Sequence, residues 1–204
     1  MYRLSEVFLS VQGEGARTGD ASVFLRFAGC NLNCTKATVG FDCDTDHGER
    51  MALDLAGLLE KVREVAGAVR WVVLTGGEPL LQTDFALLDG FKAAGFKVAV
   101  ETNGTLALPD ARLFDWVTVS PKPADKPHPL AVRECHEFKL VLAPDAEPTE
   151  PEAWGVTRAM FKLLSPAFDG MKPDPAAVEW CIGKVLADPT WRLTYQAHKV
   201  WGVK

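Results

Sequence analysis

The stretch Trp71-Val72-Val73-Leu74-Thr75-Gly76-Gly77-Glu78-Pro79 joins a continuous apolar run to a glycine-rich turn. An unbroken apolar run of this length is typical of a β-strand that is buried on both faces, as in a parallel sheet. Glycine permits positive φ angles and lets backbone approach a ligand closely. The stretch therefore predicts a buried parallel strand whose carboxyl end carries a ligand-binding turn.

The same pattern of a strand followed by a turn or a helix recurs along the chain. Five more strands are predicted at residues 23–27, 97–101, 116–119, 137–142 and 160–164, and three helices at residues 53–65, 85–94 and 176–186. Alternating strands and helices form right-handed βαβ crossovers and a parallel sheet. Six strands are too few to close an eight-stranded barrel. We therefore expect an α/β fold, a partial, open TIM-like barrel of about six parallel strands with helices outside.

Composition suits one globular domain that spans residues 1–204, because 48% of the 204 residues are hydrophobic. The proline-rich stretches at residues 121–129 and 144–151 are predicted to be loops within that domain. A net charge of −5 argues against a nucleic-acid or anionic-membrane surface. The first residues lack a signal peptide, and no apolar stretch approaches the roughly 20 residues of a membrane span. We therefore expect a cytoplasmic protein with no direct nucleic-acid or membrane partner.

Three of the five cysteines, Cys30, Cys34 and Cys43, stand close together. An odd, bunched set argues against a disulfide framework and favours metal-binding thiols in a reducing compartment. A structural zinc site normally needs four ligands, for which His47 is the nearby candidate. A cubane iron–sulfur cluster usually takes four Cys, so a cluster held by three leaves one iron open to a small molecule. Buried apolar cysteines, a zinc site and an open-iron cluster are the three alternatives.

A family resemblance favours the cluster. The cysteine trio, residues 75–80 and the stretch Glu101-Thr102-Asn103-Gly104 together resemble the radical S-adenosylmethionine enzymes. In that superfamily three Cys hold a [4Fe–4S] cluster whose open iron binds S-adenosylmethionine, and an electron then splits off a 5′-deoxyadenosyl radical. The usual spacing is Cys-x3-Cys-x2-Cys, whereas eight residues separate Cys34 from Cys43 here. The resemblance therefore implies a wider loop between the second and third ligands.

A narrower resemblance spans residues 5–204. The segments that carry it are Ser10-Val11-Gln12-Gly13-Glu14-Gly15, Phe24-Leu25-Arg26-Phe27-Ala28-Gly29-Cys30, Cys43-Asp44-Thr45, Ser120-Pro121-Lys122, residues 164–170 and Gln196-Ala197-His198-Lys199. They resemble the 7-carboxy-7-deazaguanine synthases, which act in queuosine biosynthesis, a tRNA modification pathway. The resemblance implies a lyase that converts 6-carboxy-5,6,7,8-tetrahydropterin to 7-carboxy-7-deazaguanine with loss of ammonia. The rivals are another radical enzyme, such as a glycyl-radical activase, and a non-catalytic iron–sulfur or zinc protein.

The resemblance also implies roles for individual residues. The cluster ligands would be Cys30, Cys34 and Cys43, and Thr45 would bind Mg²⁺. Substrate-binding residues would be Val11, Gln12, Gly13, Glu14, Arg26, Thr75, His198 and Lys204. Residues that bind S-adenosylmethionine would be Gly76, Gly77, Glu78, Glu101, Asn103, Ser120, Pro121, Lys122, Ser165 and Pro166. No side chain is predicted to be catalytic, because the cofactor carries the chemistry. A homodimer and a reductant such as flavodoxin or ferredoxin complete the implied partners.

Three of these roles have ordinary alternatives. Arg26 is either a substrate ligand or half of a surface ion pair. Thr45 either binds Mg²⁺ or, with Asp44, caps a turn. Lys204 either places its carboxylate against the N–H edge of the pterin or belongs to a frayed tail.

Overall fold

The computed structural model describes residues 1–122 and 129–204, so most of the predicted loop at residues 121–129 lies outside the described residues. The strands are β1 (Tyr2–Val11), β2 (Ala21–Phe27), β3 (Met51–Leu53), β4 (Trp71–Gly76), β5 (Lys97–Thr102), β6 (Trp116–Val119), β7 (Glu134–Leu142), β8 (Arg158–Pro166), β9 (Phe168–Asp169), β10 (Lys172–Pro173) and β11 (Trp191–Leu193). The α-helices are α1 (Lys36–Val39), α2 (Leu55–Ala66), α3 (Phe85–Ala93), α4 (Pro175–Ala187) and α5 (Ala197–Trp201). Short 3₁₀ helices lie at Gly15–Arg17, Pro79–Leu81, Ala111–Leu113 and Pro151–Trp154.

One large sheet organises the described chain, with the strand order β11-β8-β7-β6-β5-β4-β2-β1-β3. From β2 to β11 the neighbouring strands are parallel. The first strand, β1, runs antiparallel to both β2 and β3. In the described residues β3 and β11 are the two edges and do not pair, so the α/β fold with an open barrel is confirmed. The sheet has seven parallel strands rather than six, because β11 is too short to show a sequence pattern.

Each of the three longer helices begins at an aspartate. The side chains of Asp54, Asp84 and Asp174 accept hydrogen bonds from backbone N–H groups in the first turns of α2, α3 and α4. Such N-caps satisfy donors that a helix leaves unpaired at its start. The apolar stripes of these helices join the main hydrophobic core on one face of the sheet. The helices predicted to lie outside the barrel are therefore confirmed.

The two faces of the sheet have different partners. In β2 the buried residues Leu25 and Phe27 pack into the main core, whereas Phe24 packs with Val73 and Ala99 in a separate cluster on the opposite face. Successive side chains of a strand point to opposite faces, so this alternation follows directly from the strand geometry.

None of the helices within the described residues is long and apolar enough to span a membrane.

Candidate functional site

A cavity of about 530 Å³ opens at the carboxyl ends of the parallel strands. Most of the predicted site residues line it: Val11, Gln12, Gly13, Glu14, Arg26, Cys30, Cys34, Cys43, Thr45, Thr75, Gly76, Gly77, Glu101, Asn103, Ser120, Lys122, His198 and Lys204. Ligands of parallel α/β proteins bind at this edge because the strand ends and their loops converge there. The structure thus brings together residues that are spread over the whole chain, while their individual roles stay predictions.

Four predicted residues do not line this cavity: Glu78, Pro121, Ser165 and Pro166. Ser165 and Pro166 pair with Val141 and Leu142 inside the sheet.

The Glu78 side chain is fully buried and binds backbone and side-chain donors instead of solvent. Its carboxylate accepts hydrogen bonds from Thr102 Oγ1 at 2.7 Å, Asn103 N at 2.8 Å and Leu80 N at 3.0 Å. Burial raises the pKa of Glu78, although these hydrogen bonds oppose the shift. Glu78 therefore ties the turn after β4 to the end of β5, and it acts on the cavity by holding that turn.

The three clustered cysteines share the cavity wall and form no disulfide. Their loop is closed on itself by a hydrogen bond from Cys43 N to the Cys34 carbonyl at 3.3 Å. Burial raises the pKa of the Cys30 and Cys34 thiols, and the nearby Cys43 raises both further. Three soft thiol donors that interact electrostatically within one cavity fit an iron–sulfur cluster, which takes thiolate ligands.

No preformed site for a single ion accompanies them. In residues 1–122 and 129–204, no group of three His, Cys, Asp or Glu side chains is arranged to hold one metal ion. Thr45 does line the cavity, as the Mg²⁺ prediction requires. Because Mg²⁺ keeps few protein ligands and shares substrate oxygens, that prediction depends on a bound substrate.

The glycine-rich turn lies so close to the loop of the first cysteine that a side chain on Gly77 would not fit between them. A Cβ atom on Gly77 would lie 2.0 Å from the Gly29 carbonyl oxygen and 3.1 Å from Cys30 Cβ. Hydrogen bonds from Gly77 N to the Phe27 carbonyl and from Glu78 N to the Gly29 carbonyl hold the two loops together. The glycine therefore determines how near the turn can come to the cluster loop.

We expect Gly77→Ala to lower the free energy of unfolding by about 1–3 kcal/mol, because backbone atoms must move to admit the methyl group. The same movement should displace Cys30 and reduce the iron bound after reconstitution. The control is Gly183→Ala within α4, where nothing lies within 4 Å of the added Cβ. That change should stabilise the protein by about 0.5–1 kcal/mol. Urea unfolding and iron analysis measure both effects, and equal results for the two variants would contradict the interpretation.

A buried charge network forms the floor of the cavity. Lys139 Nζ donates to the Glu14 carboxylate in an ion pair whose lysine side chain is 9% exposed. Burial alone would lower the pKa of Lys139, but Glu14 and Glu101 outweigh it and the net shift is upward. Burial likewise would raise the pKa of Glu14, but Lys139 outweighs it and the net shift is downward. Both groups are therefore charged at neutral pH.

Glu101 connects this network to two predicted substrate-binding residues. Its carboxylate accepts hydrogen bonds from Gln12 Nε2 at 2.8 Å and from Thr75 Oγ1 at 3.2 Å. The same Gln12 side chain accepts a hydrogen bond from Glu14 N at 3.1 Å. Glu101, predicted to bind S-adenosylmethionine, is thus hydrogen-bonded to the part of the wall predicted to bind substrate.

A second group of charges lies at the rim. Arg26 Nε donates to Glu6 Oε1 at 2.8 Å, and Lys204 Nζ donates to Glu6 Oε2 at 2.9 Å. Burial would raise the pKa of Glu6, but the hydrogen bonds from Lys204 and Arg26 lower it overall. The backbone oxygen of Lys204 accepts a hydrogen bond from Ser10 Oγ at 2.7 Å. Arg26 therefore lines the cavity and forms an ion pair at once, and Lys204 is held at the rim.

The segment around α5 completes the wall. Gln196 Nε2 donates to Glu14 Oε1 and to Asp44 Oδ2, each at 3.3 Å. Lys199 Nζ donates to Asp44 Oδ2 at 2.6 Å. Burial lowers the pKa of His198, which favours the neutral imidazole. The sequence motifs predicted His198 as a binding residue, but Gln196, Lys199 and Asp44 were not among the predicted binding residues.

The fold and the match of one region define the class of enzyme. Residues 25–133 match the Radical SAM superfamily, so the chain has a [4Fe–4S] cluster and S-adenosylmethionine as cofactors. It is 42% identical to 7-carboxy-7-deazaguanine synthase from Bradyrhizobium diazoefficiens, with 100% of this chain and 99% of that protein covered. It is also 42% identical to the protein of that name from Bordetella pertussis, with 99% of each covered. The chain belongs to the 7-carboxy-7-deazaguanine synthase family.

A solved structure is consistent with this membership. The crystal structure of QueE from Escherichia coli superposes with a TM-score of 0.73 at 25% sequence identity, covering 97% of this chain and 94% of that one. The relatives confirm the predicted family, and membership in it excludes the glycyl-radical activase as an assignment.

Proposed function

We propose that this protein is a radical S-adenosylmethionine lyase that converts 6-carboxy-5,6,7,8-tetrahydropterin to 7-carboxy-7-deazaguanine with loss of ammonia, in queuosine and deazapurine biosynthesis. One observation carries the proposal. Gln12, Arg26, Thr75 and His198 come from four separate segments and line the same cavity as the three thiols. Polar side chains that could bind a heterocyclic substrate thus share one cavity with the three cysteines that would hold the cluster.

When bound, the cluster and S-adenosylmethionine supply one-electron chemistry that removes a hydrogen atom from the substrate. The chain's own residues bind and orient the pterin. Glu101 keeps acceptor capacity beyond its bonds to Gln12 and Thr75, and a carboxylate is well suited to the N–H edge of a pterin. Arg26 presents a guanidinium that can bind the substrate carboxylate in exchange for Glu6.

The remaining polar groups set the charge of the site. Lys122 and Lys139 place cations beside the carboxylate substrate, and burial lowers the pKa of Lys122, with Lys139 adding to the shift. Thr45 is proposed to share Mg²⁺ with substrate oxygens. The α5 segment lies over Gly13, with Ala197 N donating to the Gly13 carbonyl at 3.0 Å, and it helps exclude water from this end of the cavity.

The wider setting is also proposed. The nine-stranded sheet takes strands from residues 2 to 193, which supports one domain over residues 1–204. Five free cysteines favour a reducing, cytoplasmic location. Reduction by a flavodoxin or ferredoxin and assembly as a homodimer follow from the family resemblance.

The direct test starts from anaerobically purified protein with a reconstituted cluster. Addition of the tetrahydropterin, S-adenosylmethionine and a reductant should yield 7-carboxy-7-deazaguanine and ammonia, measured by mass spectrometry. The matched control omits S-adenosylmethionine and should yield neither. A protein that holds its cluster and binds S-adenosylmethionine but makes no deazaguanine would refute the assignment.

A further inference from the structure

The loop between the second and third cluster cysteines has few attachments to the rest of the fold. Within it, α1 is closed by a capping box at Thr35, and Lys36 N donates to Asp42 Oδ1 at 2.8 Å. These bonds stay inside the loop. Among the described residues, the hydrogen bonds that leave residues 35–45 for a distant segment all end on the Asp44 carboxylate. Asp44 directly follows Cys43, so its partners determine where the third thiol lies.

Lys199 is the charged partner of that carboxylate. Its Nζ lies 2.6 Å from Asp44 Oδ2 and 3.0 Å from the Gly170 carbonyl oxygen. Its ammonium lies 4.9 Å from the centre of the Phe168 ring. The lysine side chain is 9% exposed, whereas that of Asp44 is 44% exposed. A buried ammonium strongly favours a nearby carboxylate, so the ion pair pulls the exposed loop towards the fixed lysine.

The segment that carries Lys199 is itself anchored to the substrate side of the cavity. Gln196 bridges Glu14 and Asp44, and Ala197 N donates to the Gly13 carbonyl. The α5 segment therefore connects the turn that would bind the pterin with the loop that carries Cys43.

We propose that Lys199 is a positioning residue for the third cluster ligand. By holding Asp44, it keeps the Cys43 thiol at the cavity and makes retention of the cluster depend on the C-terminal segment. The proposal rests on the cluster that the family holds and not on the identity of the substrate. Groups that orient a metal ligand from behind typically change metal affinity about 10–100-fold when they are removed.

The test compares Lys199→Met with Lys199→Arg after anaerobic reconstitution. The readout is the rate at which an iron chelator removes the cluster, followed by visible absorbance and by iron and sulfide analysis. Lys199→Met should lose the cluster at least about tenfold faster than the parent. Lys199→Arg keeps the charge and should stay within about threefold. In the cluster-free protein, Lys199→Met should also speed amide hydrogen exchange at residues 41–46.

The matched control is Lys184→Met. Lys184 likewise pairs with a carboxylate, Glu147, at 2.7 Å and lies 4.4 Å from a ring centre, that of Trp180, but it does not line the cavity. It should lose its cluster at the parental rate.

A second variant, Asp44→Asn, covers the case in which Lys199→Met does not fold. It should lose the cluster as fast as Lys199→Met, and the double variant should lose it no faster than either. A parental rate of loss in Lys199→Met, or in Asp44→Asn where Lys199→Met does not fold, would overturn the proposal. A parent protein that keeps its cluster but forms no deazaguanine would refute the proposed substrate and leave this inference standing.

Discussion

Replacing Cys43 with alanine should leave a folded protein that holds no stable [4Fe–4S] cluster. The residue is exposed, and its Sγ lies 3.9 Å from the Thr45 carbonyl oxygen. Its loss should change the free energy of unfolding of the cluster-free chain by no more than about 0.5 kcal/mol. Catalysis should fall by more than about a hundredfold, because removal of a direct ligand exceeds the effect of its supporting partners.

A buried cysteine provides the control. Cys181 lies in α4, is fully buried and belongs to the main core. Cys181→Ala should keep the cluster and its spectrum while losing about 1 kcal/mol of stability through the cavity it leaves. Visible absorbance, iron content and urea unfolding separate the two outcomes. A Cys43→Ala protein with a normal cluster spectrum would show that the long spacing excludes this residue as the third ligand.

Replacing Lys139 with methionine should cause the largest loss of stability among these changes, about 3 kcal/mol near pH 7. The substitution leaves the Glu14 carboxylate in the wall of the cavity without its cation, since Gln196 offers it only an amide. Lys162→Met is the control, because its partner Glu150 is 52% exposed and such pairs contribute less than about 1 kcal/mol. Urea unfolding of cluster-free proteins measures both. A loss below 1 kcal/mol for Lys139→Met would contradict a buried pair.

The stabilisation by the Lys139–Glu14 pair should depend on pH. The pKa of Glu14 lies below its ordinary value in the folded parent, so the pair stabilises the fold above the unfolded pKa of about 4.3. That contribution is lost as pH falls through the lower, folded pKa. In Lys139→Met no lysine offsets the effect of burial, which raises the pKa of Glu14. Glu14 should therefore become protonated at a higher pH in the variant than in the parent. The difference in unfolding free energy between the parent and Lys139→Met should therefore become smaller as the pH falls from about 7 to about 4.

The sequence predicted those elements whose patterns are local and strong. The runs at residues 71–74 and 97–101 are continuous apolar strands, and they form β4 and β5 at nearly those positions. The first strand, β1, was not predicted, and its residues do not alternate between buried and exposed after Leu4. Its register also shifts between Leu4 and Glu6, which breaks the period of two that indicates a strand.

The site was predicted from motifs, which contain Asp44 and Lys199 but not Lys139. Lys139 stands in a predicted strand between apolar neighbours, and a charged residue there indicates a polar interior. That feature was visible in the sequence and could have identified it. Asp44 and Lys199 are different, because 155 positions separate them and no local pattern relates residues so far apart.

The contacts between residues 10–14 and residues 194–204 have a consequence for biosynthesis. Glu14 and Gln196 are 182 positions apart, and Ser10 and Lys204 are 194 positions apart. A ribosome adds about 5–20 residues per second, so the first partner waits on the order of ten seconds or more for the second. Until then one side of the cavity is missing and the three thiols are more accessible to solvent and oxidants. Iron and sulfide delivered to a nascent chain would meet an incomplete cavity, so we expect cluster insertion to follow synthesis.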